Sequence, residues 1–116
     1  MNRGDIHWYI GPPTASETVP KKRPVIIVSH DEANSNPSYP YITVVPVTSK
    51  VHRIYRIEVD LEDTLHRPSK AQPQAIFTCR KDVLEPEPIA ALDNDLMFNI
   101  DRQLHQYLDL FGSSLN

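Results

Sequence analysis

Two stretches of this 116-residue chain carry side chains suited to handling a phosphate. Arg23 stands directly before Pro24 and the aliphatic run Val25-Ile26-Ile27-Val28, behind two more cations, Lys21 and Lys22. Thr48 and Ser49 close the β-rich stretch YITVVPVTS, residues 41–49. If both stretches are strands and lie side by side, a guanidinium and two hydroxyls meet at one rim. A planar guanidinium can grip two oxygens of a phosphodiester while a hydroxyl donates to a third, which suits a reaction whose charge grows in the transition state. The same residues also fit an ordinary solvated loop running into a buried strand.

Other chemistries find less support. The five histidines, at 7, 30, 52, 66 and 105, stand far apart, and the HExxH and CxxC spacings are absent, as is a glycine-rich phosphate loop. No metal and no nucleotide cofactor is expected. Cys79, beside Phe77 and Thr78 in a β-rich segment, reads as an inert core thiol rather than a nucleophile.

The elements that must position Arg23 and Thr48 follow from hydrophobic period. Asp5 to Ile10 alternates, with Ile6, Trp8 and Ile10 opposite Asp5, His7 and Tyr9. The segment GPPTASETVPKK breaks all periodicity and forms a long loop of the kind that carries function. Val25 to Val28 reads as a strand covered on both faces, and DEANSNPS as a polar turn. In YITVVPVTS, Pro46 marks a bulge or an edge where no ladder donor is needed. RIYRIEVD, residues 53–60, alternates as a half-exposed strand with Glu58 outward, and PQAIFTC forms a weaker one. Leu96, Ile100, Leu104, Tyr107, Leu108 and Phe111 recur at helical spacing. They predict one amphipathic helix over about residues 94–111, capped by Asp93 and stopped by Gly112. The reading is mainly β with a C-terminal helix, a small antiparallel barrel in one domain spanning 1–116.

Composition agrees. Eleven prolines against three glycines disfavour a helical bundle, and 40% hydrophobic residues supply one modest core. The N-terminus lacks the apolar stretch of a signal peptide and VIIV is too short to span a bilayer, so a cytoplasmic protein is expected. Net charge is −3, but residues 1–81 hold 11 Lys and Arg against 8 acids, whereas residues 82–116 hold Arg102 against seven. A positive body could take an anionic ligand despite the acidic total.

The order of these pieces resembles the MazF/PemK family of toxin ribonucleases. Arg3-Gly4-Asp5-Ile6 is similar to the family's opening RGD/RGE motif, Arg23-Pro24-Val25 to its RPV strand start, and Val45-Pro46-Val47-Thr48-Ser49 to its strand end. Ser69, Ile76, Thr78, Lys81 and Leu84 match a downstream pattern. The resemblance implies an SH3-like barrel of the CcdB/MazF/PemK kind and a homodimer. It implies metal-independent cleavage of single-stranded RNA by attack of the 2′-hydroxyl, and an acidic antitoxin peptide as partner. Arg23 and Thr48 then match the catalytic pair of the chromosomal branch. Lys22, Ser49, Gln72 and Gln74 become candidates for holding substrate. The family's Asp-Gln-x-Arg is here Gln74-Ala75-Ile76-Phe77, and the plasmid branch's arginine is replaced by Gln72.

Arginine does not readily give up its proton, so a separate base is expected. Glu17, in the long loop, and His52, just after Thr48-Ser49-Lys50, are the candidates. Two other readings compete with a ribonuclease toxin. One is a barrel that has lost catalysis and only binds RNA or protein. The other is a gyrase-poisoning toxin of related fold, which is recognised by a C-terminal Trp, whereas this chain has only Trp8.

Overall fold

In a computed structural model, which describes residues 1–13 and 22–111, the β-branched run behind Arg23 becomes β2 (Arg23–Ile27). It lies between β1 (Asp5–Tyr9) and β3 (Tyr41–Thr48), antiparallel to both. Val25, Ile26 and Ile27 are completely buried, as an unbroken apolar run requires. Ile26 and Val28 enter one core cluster, while Val25 and Ile27 join Tyr9, Ile42, Val44 and Leu84 in a second on the other face. β1 is covered on both faces too, which corrects the expected alternation. His7 is buried beside Ile6, its Nδ1 2.7 Å from the Glu85 carbonyl, and β7 (Ala90–Ala91) closes the outer edge of the strand.

With β4 (Val59–Asp60) and β5 (Lys70–Ala71), the sheet runs β4-β5-β3-β2-β1-β7, and β6 (Phe77–Arg80) also lies on β3. Every pairing is antiparallel, and the sheet curls into a half-barrel. β3 is shared: Tyr41–Val44 pair with β6, and Val47–Thr48 pair with β5 (Lys70–Ala71). Pro46 stands where one partner gives way to the other. Its carbonyl accepts the Gln72 N–H at 2.9 Å, and a strand residue aims its nitrogen at the same edge as its carbonyl. The missing donor of Pro46 therefore faces the gap between partners, where no ladder bond is lost.

The helix, α2 (Asn94–Tyr107), begins as expected, with Asp93 accepting the Leu96 N–H at 2.8 Å. It buries Leu96, Ile100 and Leu104 against the first cluster. It ends earlier than its period predicts, because Asp109 and Phe111 take left-handed backbones (φ 53° and 62°) and Tyr107 and Phe111 turn to solvent. Gly112 lies outside the described residues. Arg3 straps this helix to the sheet. Its two terminal nitrogens reach Asp101 and its Nε donates to the Val28 carbonyl at 2.8 Å. The adjoining Gly4 has φ +90°, a backbone that a side chain rarely adopts. Part of the apparent motif Arg3-Gly4 thus serves the fold.

DEANSNPS is not only a turn: Asp31–Ser35 form a short helix, α1, with His30 accepting the Glu32 N–H. PQAIFTC begins as a 3-10 turn over Pro73–Ala75 before β6 starts. The largest correction falls on residues 53–60, where only Val59–Asp60 form a strand, β4. Glu58, expected outward, is buried. Its Oε1 lies 2.7 Å from Lys70 Nζ, with the two side chains 1% and 7% exposed. The Tyr55 N–H and the Gln74 and Gln72 amides also donate to it, at 2.8, 2.9 and 3.2 Å. Lys70 donates in addition to the Arg53 carbonyl at 2.6 Å. Alternation marks an acid as solvent-facing because a carboxylate is costly to bury alone; it cannot register a lysine on another strand.

Burial opposes ionisation of Glu58, but Lys70, the Tyr55 N–H and the two amides outweigh it and draw the carboxyl from 4.5 down to about 2. Because the folded value lies below the unfolded one, this stabilisation is complete above about pH 4.5 and is lost as pH falls toward 2. Melting temperature should decline through that window, and Lys70→Met should lose about 3–5 kcal/mol in urea titrations at pH 7, since it strands a buried charge. A Lys70→Met variant as stable as the wild type would contradict the geometry.

Candidate functional site

The β2–β3 register pairs Val25 with Pro46 and Ile26 with Val45. Continued two residues, the same offset sets Arg23 across from Thr48, and directly opposed residues of an antiparallel pair share a face. Both line one cleft of about 480 Å³ at this end of the sheet. Lys22, Pro24, Val47, Ser49 and Lys50 continue this wall, and Trp8 adds an apolar surface from β1. A second stretch of wall is the β4–β5 connection, contributing Thr64, Leu65, His66, Arg67 and Ser69.

Local structure orients these groups. The Thr48 hydroxyl oxygen accepts the Lys50 N–H at 3.2 Å, which fixes the side chain as the strand ends and leaves its proton to be donated. Arg23 is half-buried and rooted in the buried strand. Lys22 is exposed, held by Glu85 at 2.7 Å and lying over the Trp8 ring at 5.2 Å. On the second stretch of wall, the Leu61 N–H donates to the Ser69 carbonyl, Thr64 Oγ1 to the Leu61 carbonyl, and Ser69 Oγ to the Arg67 carbonyl. Among the described residues the lining joins cations, hydroxyls and one imidazole to apolar Trp8, Pro24, Val47, Leu65 and Ile89, and contains no carboxylate. Such a cleft favours a phosphate or another anion.

The candidates named from sequence divide accordingly. Arg23, Thr48, Lys22 and Ser49 come together at the cleft. His52 sits exposed on the following loop and does not line it. Gln72 and Gln74 do not line it either; their amides hold Glu58. Glu17 lies outside the described residues. His66 and Arg67 carry no mark in the sequence, because LEDTLHRP has no period. The one usable clue is topological: Lys70 pairs with Thr48, which draws the connection before β5 up to the end of β3.

Fold and cleft define a small curled β protein with a cleft lined by several cations. Residues 2–108 match the family model described as "PemK-like, MazF-like toxin of type II toxin-antitoxin system", and the chain belongs to that family. It is 32% identical to Endoribonuclease MazF9 of Mycobacterium tuberculosis over 119 residues, covering 97% of this chain and 99% of that protein. It is 30% identical to Endoribonuclease MazF6 of the same species, covering 95% and 98%. Among solved structures it is similar to MazF from Deinococcus radiodurans, with TM-score 0.77 and 20% identity over 93% of this chain and 96% of that one. A mycobacterial endoribonuclease in complex with its cognate antitoxin matches with TM-score 0.76 and 19% identity over 95% and 96%.

Cys79 lies on β6, in a separate and mostly apolar groove of about 350 Å³ with Tyr9, Pro12, Phe77 and Val83. Burial, with help from Asp82, pushes its thiol up to about 11, so the thiolate is scarce at neutral pH. Iodoacetamide should alkylate it slowly at pH 7.5 and faster as pH rises toward 11. Rapid labelling at pH 7.5 in the folded protein would show a reactive thiol instead.

Proposed function

We propose that the protein is a metal-independent endoribonuclease, the toxin of a type II toxin–antitoxin pair, and that Arg23 and Thr48 act on the scissile phosphate. The observation that carries this reading is that both line one cleft among other cations, at the end of the sheet to which the β2–β3 register leads them. The 2′-oxygen of the nucleotide before the cut attacks the neighbouring phosphorus, and the bond from phosphorus to the 5′-oxygen breaks. The products are a 2′,3′-cyclic phosphate and a 5′-hydroxyl. The Arg23 guanidinium grips two non-bridging oxygens as their charge grows, and the Thr48 hydroxyl donates to the same group. Lys22, Ser49, Lys50 and Arg67 hold the flanking backbone. Trp8 offers a ring on which a base can stack.

The partners follow from the same chemistry. Single-stranded RNA is the substrate, and an acidic antitoxin peptide, drawn to the same cations, blocks the cleft. The protein acts as a homodimer, a reading supported by apolar side chains such as Phe98, 63% exposed. Sedimentation at tens of micromolar, roughly where even weak self-association registers, should give a dimer; a monomer there would remove that part.

Antitoxin-free protein incubated in EDTA with a panel of diverse single-stranded RNAs should cut at defined positions and leave cyclic phosphate ends. Arg23→Ala should lower kcat by about a hundredfold or more. Arg23→Lys should not restore it, because a point charge cannot reproduce a two-pronged grip. If the wild type cuts nothing, or if Arg23→Ala cuts as fast, the protein is a binding module and not a nuclease.

A further inference from the structure

We propose that His66 is the general base of this cleft, taking the proton from the attacking 2′-hydroxyl. This rests on the ribonuclease reading above and supplies the one component that Arg23 and Thr48 cannot. Lysine and arginine side chains carry their protons at neutral pH, and a threonine hydroxyl has no acceptor strength to match. Among the described residues lining the cleft, His66 is the sole side chain of a type that accepts a proton in the neutral range. Exposed on the β4–β5 connection, it lines the same cleft as Arg23 and Thr48, whereas His52 is outside the lining.

The backbone supports a dedicated placement. His66 has φ 59°, a left-handed conformation uncommon for a residue with a side chain, and Glu62 in the same connection has φ 57°. The His66 N–H donates to the Asp63 carbonyl at 3.0 Å, and Glu62 donates to Asp60 Oδ1 at 2.8 Å. With the Leu61–Ser69 bond, these contacts close the connection on itself. His66 is therefore presented by a fixed turn rather than by a loose loop.

In the step, a neutral imidazole nitrogen of His66 accepts the 2′-hydroxyl proton as the 2′-oxygen bonds to phosphorus. The 5′-oxygen departs with the electron pair of the broken bond and takes a proton from solvent water, and the imidazolium returns its proton to solvent. Net, one proton moves from the 2′- to the 5′-oxygen. The charged groups that share the cleft with His66 are Lys22, Arg23, Lys50 and Arg67, and Asp60, Glu62 and Asp63 precede it in the chain outside the lining. The arginines and lysines keep one charge state through the range in which imidazoles titrate.

The test compares wild type, Arg23→Ala, His66→Asn and His66→Gly across pH 5–9, roughly the span that brackets imidazole titration, on an RNA the wild type cuts. Asparagine and glycine both tolerate a left-handed backbone, so loss of the fold is not built into either variant, and melting curves verify it. The wild type should decline on the acid side; His66→Asn should lose that decline, lose about a hundredfold or more in kcat, and keep KM within about threefold. Added imidazole should restore activity to His66→Gly and leave Arg23→Ala unaffected. If Arg23→Ala is impaired while His66→Asn keeps wild-type kcat and pH profile, the assignment to His66 is overturned and the ribonuclease reading stands. Failure of imidazole to rescue a folded His66→Gly also overturns it. A wild type that cuts no RNA overturns both.

Discussion

The antiparallel register between β2 and β3 is the constraint on which the rest depends. It buries Val25, Ile26 and Ile27 against Val44, Val45 and Pro46, and a slip of one residue would turn each of these side chains to the wrong face. The same register decides where the chain's polar ends arrive. Arg23 and Thr48 are opposed because the apolar residues behind them are paired, so the hydrophobic core sets the geometry of the cleft mouth. If Arg23 acts as proposed, its place beside the buried run Val25–Ile27 removes much of the reorganisation that a flexible arginine would need during a reaction.

The second wall depends on a different interaction. Glu58 and Lys70 form a buried pair at one corner of the sheet, extended by Gln72, Gln74 and the backbone at Arg53 and Tyr55. Such pairs give little net stability over a well-packed apolar alternative, but they specify one arrangement. Here Glu58 directly precedes β4 and Lys70 opens β5 beside Thr48, so the pair ties together the two ends of the connection bearing His66 and Arg67. The acid–amide network also gives Gln72 and Gln74 a structural role, since each amide donates to the Glu58 carboxylate.

Much of this was legible in the residues. The VIIV run, the Pro46 exception and the Asp93 cap each have a local physical cause, and each is found where that cause puts it. Arg23 and Thr48 could be named together because strand ends are marked by composition. Glu58 could not be placed, since its burial depends on a lysine 12 residues away on another strand. The burial of His7 is equally hidden, since the Glu85 carbonyl that meets its ring lies far along the chain. His66 and Arg67 were missed because a loop without period carries no address; only the pairing of Thr48 with Lys70 supplies one. Long-range partners, rather than weak local signals, separate what the sequence discloses from what it withholds.

The central claim is that RNA backbone lies between the two walls of the Arg23–Thr48 cleft. Its most direct test is a map of amide NMR shifts on titrating a single-stranded RNA carrying a 2′-deoxy nucleotide before the cut, which can bind but cannot be attacked. The account predicts that the largest changes fall at residues 22–24, 47–50 and 64–69, with little change around Tyr9, Phe77 and Cys79 in the other groove. Changes centred on that apolar groove, with the cleft walls silent, would contradict it.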